Sequence, residues 1–278
     1  MIGKLAKLRN KGVGELAERG RQVGRAFAEA AGFSGDGRLA SDERVLEEFG
    51  VRSVEGLLEH FRSRPWSFYP AFRDREAVVR TFEERFGGER AALIERADGI
   101  CEGRFSLLGY PDLYFGGEVP DWHLEPIADK RAPPVHWSRI EADVSADFGD
   151  NKIIWELNRH QYFALLGRAY CLTGNEKYAE VFASHVADWC ENNPPKLGIN
   201  WVSSLEIAFR SMSWTWAFHF FRDSPAFSGS LLLRMVKFLK LNGRHIENFL
   251  STYSSPNTHL TGEALGLYFI GSFLQEIE

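Results

Sequence analysis

The sequence predicts an all-α fold, an incomplete (α/α) toroid of antiparallel helical hairpins preceded by short helices and a long irregular loop. In the second half of the chain, apolar side chains recur every three or four residues. Short polar loops rich in Gly, Asn and Pro separate these segments, and several segments are apolar on more than one side. The chain has 278 residues, 44% of them hydrophobic, which is enough for a large core.

The first region, residues 1–104, is expected to be a helical lead-in. Ser41 and Ser53 are serine N-caps for two short helices, and Pro65 ends this pair. No period-2 alternation predicts a strand. The helices are expected over residues 1–38, 41–49, 53–64, 74–86 and 89–97.

The second region, residues 105–150, is rich in Gly, Pro, Asp and aromatic residues and is predicted to be a long irregular segment. Trp122, His123, His136 and Trp137 could line a sugar-binding cleft. Alternatively, these aromatic side chains pin the segment onto the helices.

The third region, residues 151–278, contains long hydrophobic helices in regular succession. Asn175 is expected to cap the second of them, and Ser203 or Ser204 the third. The expected helices cover residues 152–172, 175–192, 204–220, 229–249 and 258–276.

Polar residues inside the first long helix are candidates for binding. Glu156, Arg159 and His160 have i, i+3 and i+4 spacing and are expected to share a face, directly beside Asn158. Arg159 either pairs with Glu156 near the surface or meets a sugar carboxylate with two hydrogen bonds.

A second group of candidates precedes and begins the third long helix. Trp201 offers a flat face for a pyranose ring, and Asn200 an amide for its hydroxyls. Arg210 follows Glu206 by four residues in an apolar helix, where an unpaired charge is costly. Arg210 either pairs with Glu206 or points into a wet cleft, and both can hold.

The stretch from Ser254 to Glu263 is expected to hold the chemistry. Pro256 interrupts the helical region, and Asn257 and His259 then lie at a helix N-terminus, where backbone N–H groups and the helix dipole favour an anion. The alternative is that Asn257 only caps the helix and His259 only packs in its first turn.

Composition narrows the class of protein. A net charge of −5 gives no sign of a nucleic-acid partner. Three cysteines show no disulfide or CxxC pattern, and the histidines show no metal-ligand spacing, so we expect no metal or cofactor. No signal peptide or membrane span is evident, which indicates a cytoplasmic protein, or a periplasmic or secreted one if the N-terminus is incomplete.

Several short motifs, taken in order, resemble the heparinase II/III family of polysaccharide lyases. The combination is more specific than any single piece, and the resemblance spans residues 105–278. The motifs are Asp150 to His160, Asn193-Pro194, Gly198 to Trp201, Glu206 with Arg210, Ser255 to Leu260, and Glu263-Ala264.

The resemblance implies a toroid followed by a β-sandwich, and cleavage of acidic, uronic-acid-containing polysaccharides such as heparan sulfate or alginate by β-elimination. It implies that Asn257 neutralises the substrate carboxylate and that His259 is a second donor or orients it. The family's reactive Tyr and a further His come later than Glu278, so we expect a truncated sequence. Together with the residue pattern, this predicts that the substrate-binding residues are Asn158, Arg159, His160, Asn200, Trp201, Glu206 and Arg210.

Two other functions remain open from the residues alone. A glycoside hydrolase on a helical toroid needs two carboxyl groups, for which Glu156, Glu206 and Glu263 are the candidates. A non-catalytic glycan-binding module is the third possibility. The oligomeric state is not evident from the sequence.

Overall fold

The computed structural model describes residues 12–66, 69–141 and 147–275, and these residues are largely helical, which confirms the predicted class. The first eleven residues and Glu276, which lie in predicted helices, fall outside the described residues. The helices are α1 Val13–Ala30, α2 Asp42–Glu48, α3 Val54–Ser63, α4 Arg75–Phe86, α5 Arg90–Cys101, α6 Asn151–Asn158, α7 Phe163–Thr173, α8 Lys177–Asn192, α9 Ser204–Phe221, α10 Gly229–Asn248 and α11 Thr258–Leu274.

The helices begin close to the expected caps. The hydroxyls of Ser41 and Ser53 accept hydrogen bonds from backbone N–H groups three residues later, at 3.2 and 3.1 Å. The Asn175 side chain accepts one from the N–H of Lys177 at 3.1 Å. Helix α9 begins at Ser204 without a side-chain cap from Ser203, so only the position of that helix start was predicted correctly.

The long helices form two layers. In the first layer, α9 and α11 run parallel, since Leu205 meets Gly262 near the helix starts and Phe218 meets Phe273 near the helix ends. Helix α7 has the same direction, since Arg159 before it meets Glu206 and Tyr170 meets Phe221. In the second layer, α8 runs in the opposite direction, since its Phe182 meets Phe221 and its Trp189 meets Trp214 of α9. Helix α10 does the same, with Asn242 bonded to Ser211 and Phe249 to Ser204, and α3 packs against α10. These alternating hairpins confirm the predicted incomplete (α/α) toroid.

One predicted helix is two helices. The expected helix over residues 152–172 is broken between α6 and α7, where His160 takes a left-handed conformation with φ of 56°. This turn buries the His160 ring, and Trp214 Nε1 donates to His160 Nδ1 at 2.8 Å. The predicted shared face of Glu156, Arg159 and His160 is therefore wrong, because His160 points into the core.

The segment over residues 105–150 is more ordered than predicted. It contains two antiparallel hairpins, β1 Arg104–Leu107 with β2 Tyr110–Tyr114, and β3 Leu124–Glu125 with β4 Lys130–Arg131. Leu108 and Gly109, which join β1 to β2, both have positive φ, as a two-residue hairpin turn of this kind requires.

Candidate functional site

The connection between α10 and α11 leads to the predicted reactive residues and is held at several points. The Glu263 carboxylate is completely buried and accepts hydrogen bonds from the backbone N–H of Ser251 at 2.7 Å and from its hydroxyl at 2.6 Å. The Ser204 hydroxyl donates to the carbonyl of Phe249, and the Gln22 amide of α1 donates to the carbonyl of Leu250, both at 2.9 Å. The chain therefore enters α11 from a fixed support.

Asn257 and His259 are exposed at the start of α11. The Asn257 side chain makes no capping hydrogen bond, since its oxygen accepts from the hydroxyls of Ser255 at 3.1 Å and Thr258 at 3.4 Å. Its amide nitrogen donates to no other described residue and can donate to a ligand. The Asn257 side chain therefore does not cap α11, although its backbone carbonyl begins the helix by accepting from the N–H of Thr261 at 3.0 Å.

Close packing of α11 against α9 sets the position of this helix start. Gly266 lies so near Ala208 that a Cβ added to Gly266 would be 2.5 Å from the Ala208 Cβ, and a Cβ at Gly262 would collide with Leu205. Asn257 precedes Gly262 by five residues, about 7.5 Å of helix rise. It therefore lies at the same end of the toroid as the beginning of α9 and its Glu206.

Arg159, Glu206 and Glu156 form an ion-pair cluster at that end. Arg159 Nε and Nη2 donate to the two carboxylate oxygens of Glu206 at 2.6 and 3.0 Å, and Nη1 donates to Glu156 at 2.7 Å. Partial burial alone would lower the pKa of Arg159, but the hydrogen bonds and charge of Glu206 outweigh it and raise this pKa. The predicted pair of Arg159 with Glu156 is confirmed, and three of the five N–H groups of Arg159 are used by these two carboxylates.

Arg210 does not reach a wet cleft and is not the partner of Glu206. It is fully buried, and donates to the backbone carbonyls of Asn158 at 3.4 Å and Asn200 at 3.1 Å. Its guanidinium carbon lies 4.3 Å from the centre of the Trp189 ring. Burial, opposed by the charge of Glu206, lowers the pKa of Arg210 to about 9. The prediction of Arg210 as a substrate-binding residue is therefore wrong.

Asn158, Asn200, Trp201 and His160 are also interior residues, each at most 1% exposed. The amides of Asn158 and Asn200 donate to the carbonyl of Trp122 at 2.9 and 3.1 Å, and Trp201 packs in the core. Burial, followed by the charge of Arg210, holds the pKa of His160 well below its usual range. The prediction that these four contact sugar directly is wrong, because no surface of their side chains is available.

Trp122, His123, His136 and Trp137 hold the second region against the helices, which is the second of the two alternatives given for them. The Trp122 indole is buried and donates to Asp188 at 2.7 Å, and His123 Nε2 bonds to the carbonyl of Asn192 at 3.1 Å. The His136 and Trp137 rings both bond to the Glu29 carboxylate of α1, at 3.2 and 2.6 Å.

The described ranges contain no group of three His, Cys, Asp or Glu residues that could hold a metal ion. Within those same ranges, no helix combines the length and apolar character needed to cross a membrane.

Comparisons with known proteins support the family resemblance and extend it toward the N-terminus, beyond the predicted span of residues 105–278. A family model described as the heparinase II/III N-terminus matches residues 55–278. A heparin-sulfate lyase of Bacteroides stercoris is 24% identical over 81% of this chain and 32% of its own length. A heparin-sulfate lyase of Pedobacter heparinus is 31% identical over 46% of this chain and 20% of its own length.

Solved structures support the fold. Heparan sulfate lyase HepC from Pedobacter heparinus aligns with a TM-score of 0.59 and 21% identity, over 81% of this chain and 32% of that one. The heparinase III-BT4657 gene product also aligns with a TM-score of 0.59, at 23% identity, over 84% of this chain and 35% of its own. The chain thus spans at most about a third of the length of these relatives.

Proposed function

The chain belongs to the heparinase II/III family, and from this premise we propose that it forms the substrate-binding toroid of a polysaccharide lyase that cleaves uronic-acid-containing polysaccharide by β-elimination. The observation that carries the proposal is the side-chain amide of Asn257, which is exposed at the N-terminal end of α11 and makes no capping hydrogen bond. The heparin-sulfate lyases among its relatives favour a glycosaminoglycan as the substrate.

The reaction explains the need for such an amide. Removal of the proton at C5 of a uronate adds negative charge to a carboxylate that is already ionised. A donor placed where that charge develops lowers the barrier, and loss of one such donor typically costs about 10² to 10³ in kcat. The Asn257 amide nitrogen supplies the donor, and the N-terminal end of the α11 dipole adds a favourable field.

His259 lies two residues later in the first turn of the same helix and is exposed. It can donate a second hydrogen bond to the substrate carboxylate or orient the sugar beside Asn257. Its accessibility supports this role more than the alternative of packing in the first turn.

Glycoside hydrolysis has weaker support. It needs one carboxyl group as a proton donor and another as base or nucleophile. Glu263 is buried against Ser251, and both Glu156 and Glu206 accept hydrogen bonds from Arg159. All three carboxylates are therefore occupied by donors inside the protein.

The test uses the full-length protein with heparan sulfate and, separately, alginate. New ultraviolet absorbance from an unsaturated uronate is expected with at least one polymer. Reducing ends without absorbance would instead mean hydrolysis, and binding without any product would mean a non-catalytic module.

For the site, Asn257→Ala is expected to lower kcat by at least 10²-fold with polymer affinity nearly unchanged. Asn192→Ala is the matched control, because Asn192 is exposed at the end of α8 and, within the described part of the chain, its side-chain amide bonds only to Asp188 of the same helix. Equal turnover by both variants would refute the assignment of Asn257.

A further inference from the structure

A groove of about 630 Å³ runs between α5, the β1–β2 hairpin and the start of α7. It is more polar than a core cavity, and its walls carry charges of both signs. Among the lining residues are Arg96, Arg104, Arg168, Asp112, Glu156 and Gln161.

Most of these charges are satisfied within the protein. Arg104 bonds to Glu102 at 2.5 Å and lies 3.6 Å from Asp112, and the charge of Glu95, which also lines the groove, acts on Arg104 as well. Glu156 is taken by Arg159. The acidic residues of the groove thus interact mainly with Arg104 and Arg159.

Arg96 and Arg168 differ from Arg104 and Arg159 in their ion pairs. Among the described residues, neither guanidinium has a carboxylate within 4.0 Å, and Arg168 donates only a long bond of 3.3 Å to the carbonyl of Ala164. Both side chains line the same groove, and partial burial and the like charge of Arg96 lower the pKa of Arg168. An anion between them would relieve this repulsion, and guanidinium groups suit oxyanions such as sulfate and carboxylate.

A short series of contacts links the groove to the N-terminal end of α11. Glu156 lines the groove and binds Arg159, which binds Glu206 at the beginning of α9. The neighbouring Leu205 packs on Gly262 in α11. A bound chain can therefore extend from Asn257 toward the groove along one end of the toroid.

We propose that Arg96 and Arg168 bind an anionic group, a sulfate or a carboxylate, on a sugar residue remote from the bond that is cleaved. This inference rests on the proposed function, since it assumes an acidic polysaccharide. The site would strengthen binding of long, charged chains without taking part in the chemistry.

The experiment measures binding of a sulfated heparan-type hexasaccharide to the full-length protein and to Arg96→Gln, Arg168→Gln and the double variant. Each single change is expected to weaken binding about tenfold, since it removes one charged hydrogen-bonding partner. The effect should shrink at high salt because the site is open to solvent. Arg52→Gln is the control, because Arg52 is exposed, does not line the groove and has no ion pair among the described residues. Its affinity should stay within about twofold of the parent.

A desulfated uronic-acid hexasaccharide identifies the anion. Retained dependence on the two arginines means a carboxylate, and lost dependence means a sulfate. With a polymer that the parent cleaves, the variants are expected to raise KM with kcat unchanged. Their melting temperatures should equal that of the parent, because neither arginine forms an ion pair with another described residue.

Affinity of the double variant within twofold of the parent would overturn the subsite, even if the parent releases unsaturated product. Arginine-dependent binding by a parent that releases no product would instead refute the lyase proposal and leave the subsite standing.

Discussion

Replacement of Gly266 by alanine tests whether close packing of α9 and α11 sets the candidate site. The added Cβ would be 2.5 Å from the Ala208 Cβ and 2.8 Å from its Cα, whereas ordinary contacts lie at 3.4–4 Å. The helices must separate by about 1 Å, and overpacking of this kind costs roughly 1–3 kcal/mol. Alanine gains about 1 kcal/mol in helix propensity over glycine, so the net loss of unfolding free energy is about 0–2 kcal/mol.

Gly271→Ala is the matched control in the same helix. Gly271 is exposed, and a Cβ added there meets no heavy atom within 4 Å. This variant gains the same propensity term without the clash, so it should be stabilised by up to about 1 kcal/mol.

The comparison between the two alanine variants isolates the steric cost, expected at about 1–3 kcal/mol in urea denaturation. Because α11 presents Asn257, Gly266→Ala should also lower kcat more than Gly271→Ala does. Unfolding free energies of the two variants within about 0.5 kcal/mol of each other would refute the reasoning.

Three further predictions concern buried polar groups. Arg210→Ala should lower the free energy of unfolding by about 3 kcal/mol in urea denaturation, since it leaves two buried carbonyls without a donor and opens a cavity; a loss below about 1 kcal/mol would contradict this. Glu263→Gln should weaken the support from Ser251, lowering stability by about 1–2 kcal/mol and kcat more than KM; unchanged kcat would mean that this support does not position Asn257. Burial lowers the pKa of His185 to about 4 from an unfolded value of about 6.5, so stability is full above pH 6.5 and falls by about 3 kcal/mol as pH drops toward 4. Denaturation midpoints of the parent and of His185→Gln should show a shallower pH dependence in the variant, and equal slopes would exclude His185 as the cause.

Local signals predicted the helices well where the helix ends depend on nearby residues. The hydroxyl caps at Ser41 and Ser53 act within three residues, and α10 ends at Asn248, one residue before the expected Phe249. The break after Asn158 was not predictable in this way, because the left-handed turn at His160 depends on Trp214, 54 residues later in the chain. Tertiary contacts outweigh helix propensity at such a point.

The polar motif residues were harder to interpret for a different reason. Asn158, Asn200 and Arg210 carry the same donors that a sugar site requires, and their actual acceptors are mainly backbone carbonyls, which have no signature in the sequence. The Arg159 and Glu156 pair was visible because its i, i+3 spacing is local. The small-residue contact of Gly266 with Ala208 was missed, although Gly262 and Gly266 share a helix face by their i, i+4 spacing.

The buried polar network around Arg210 and the exposed Asn257 at the start of α11 have different roles, which stability and kinetic measurements can separate. Arg210 joins the end of α6 to the loop before α9, and Glu206 at the start of α9 joins Arg159 beside α6, so the network fixes the end of the toroid at which α11 begins. Damage to the network must therefore lower stability and kcat together. Loss of the Asn257 amide removes a free donor and, within the fold, only two hydrogen bonds from the hydroxyls of Ser255 and Thr258 at the surface, so it should lower kcat with little loss of stability. A variant of Asn257 that unfolded the protein would contradict this division.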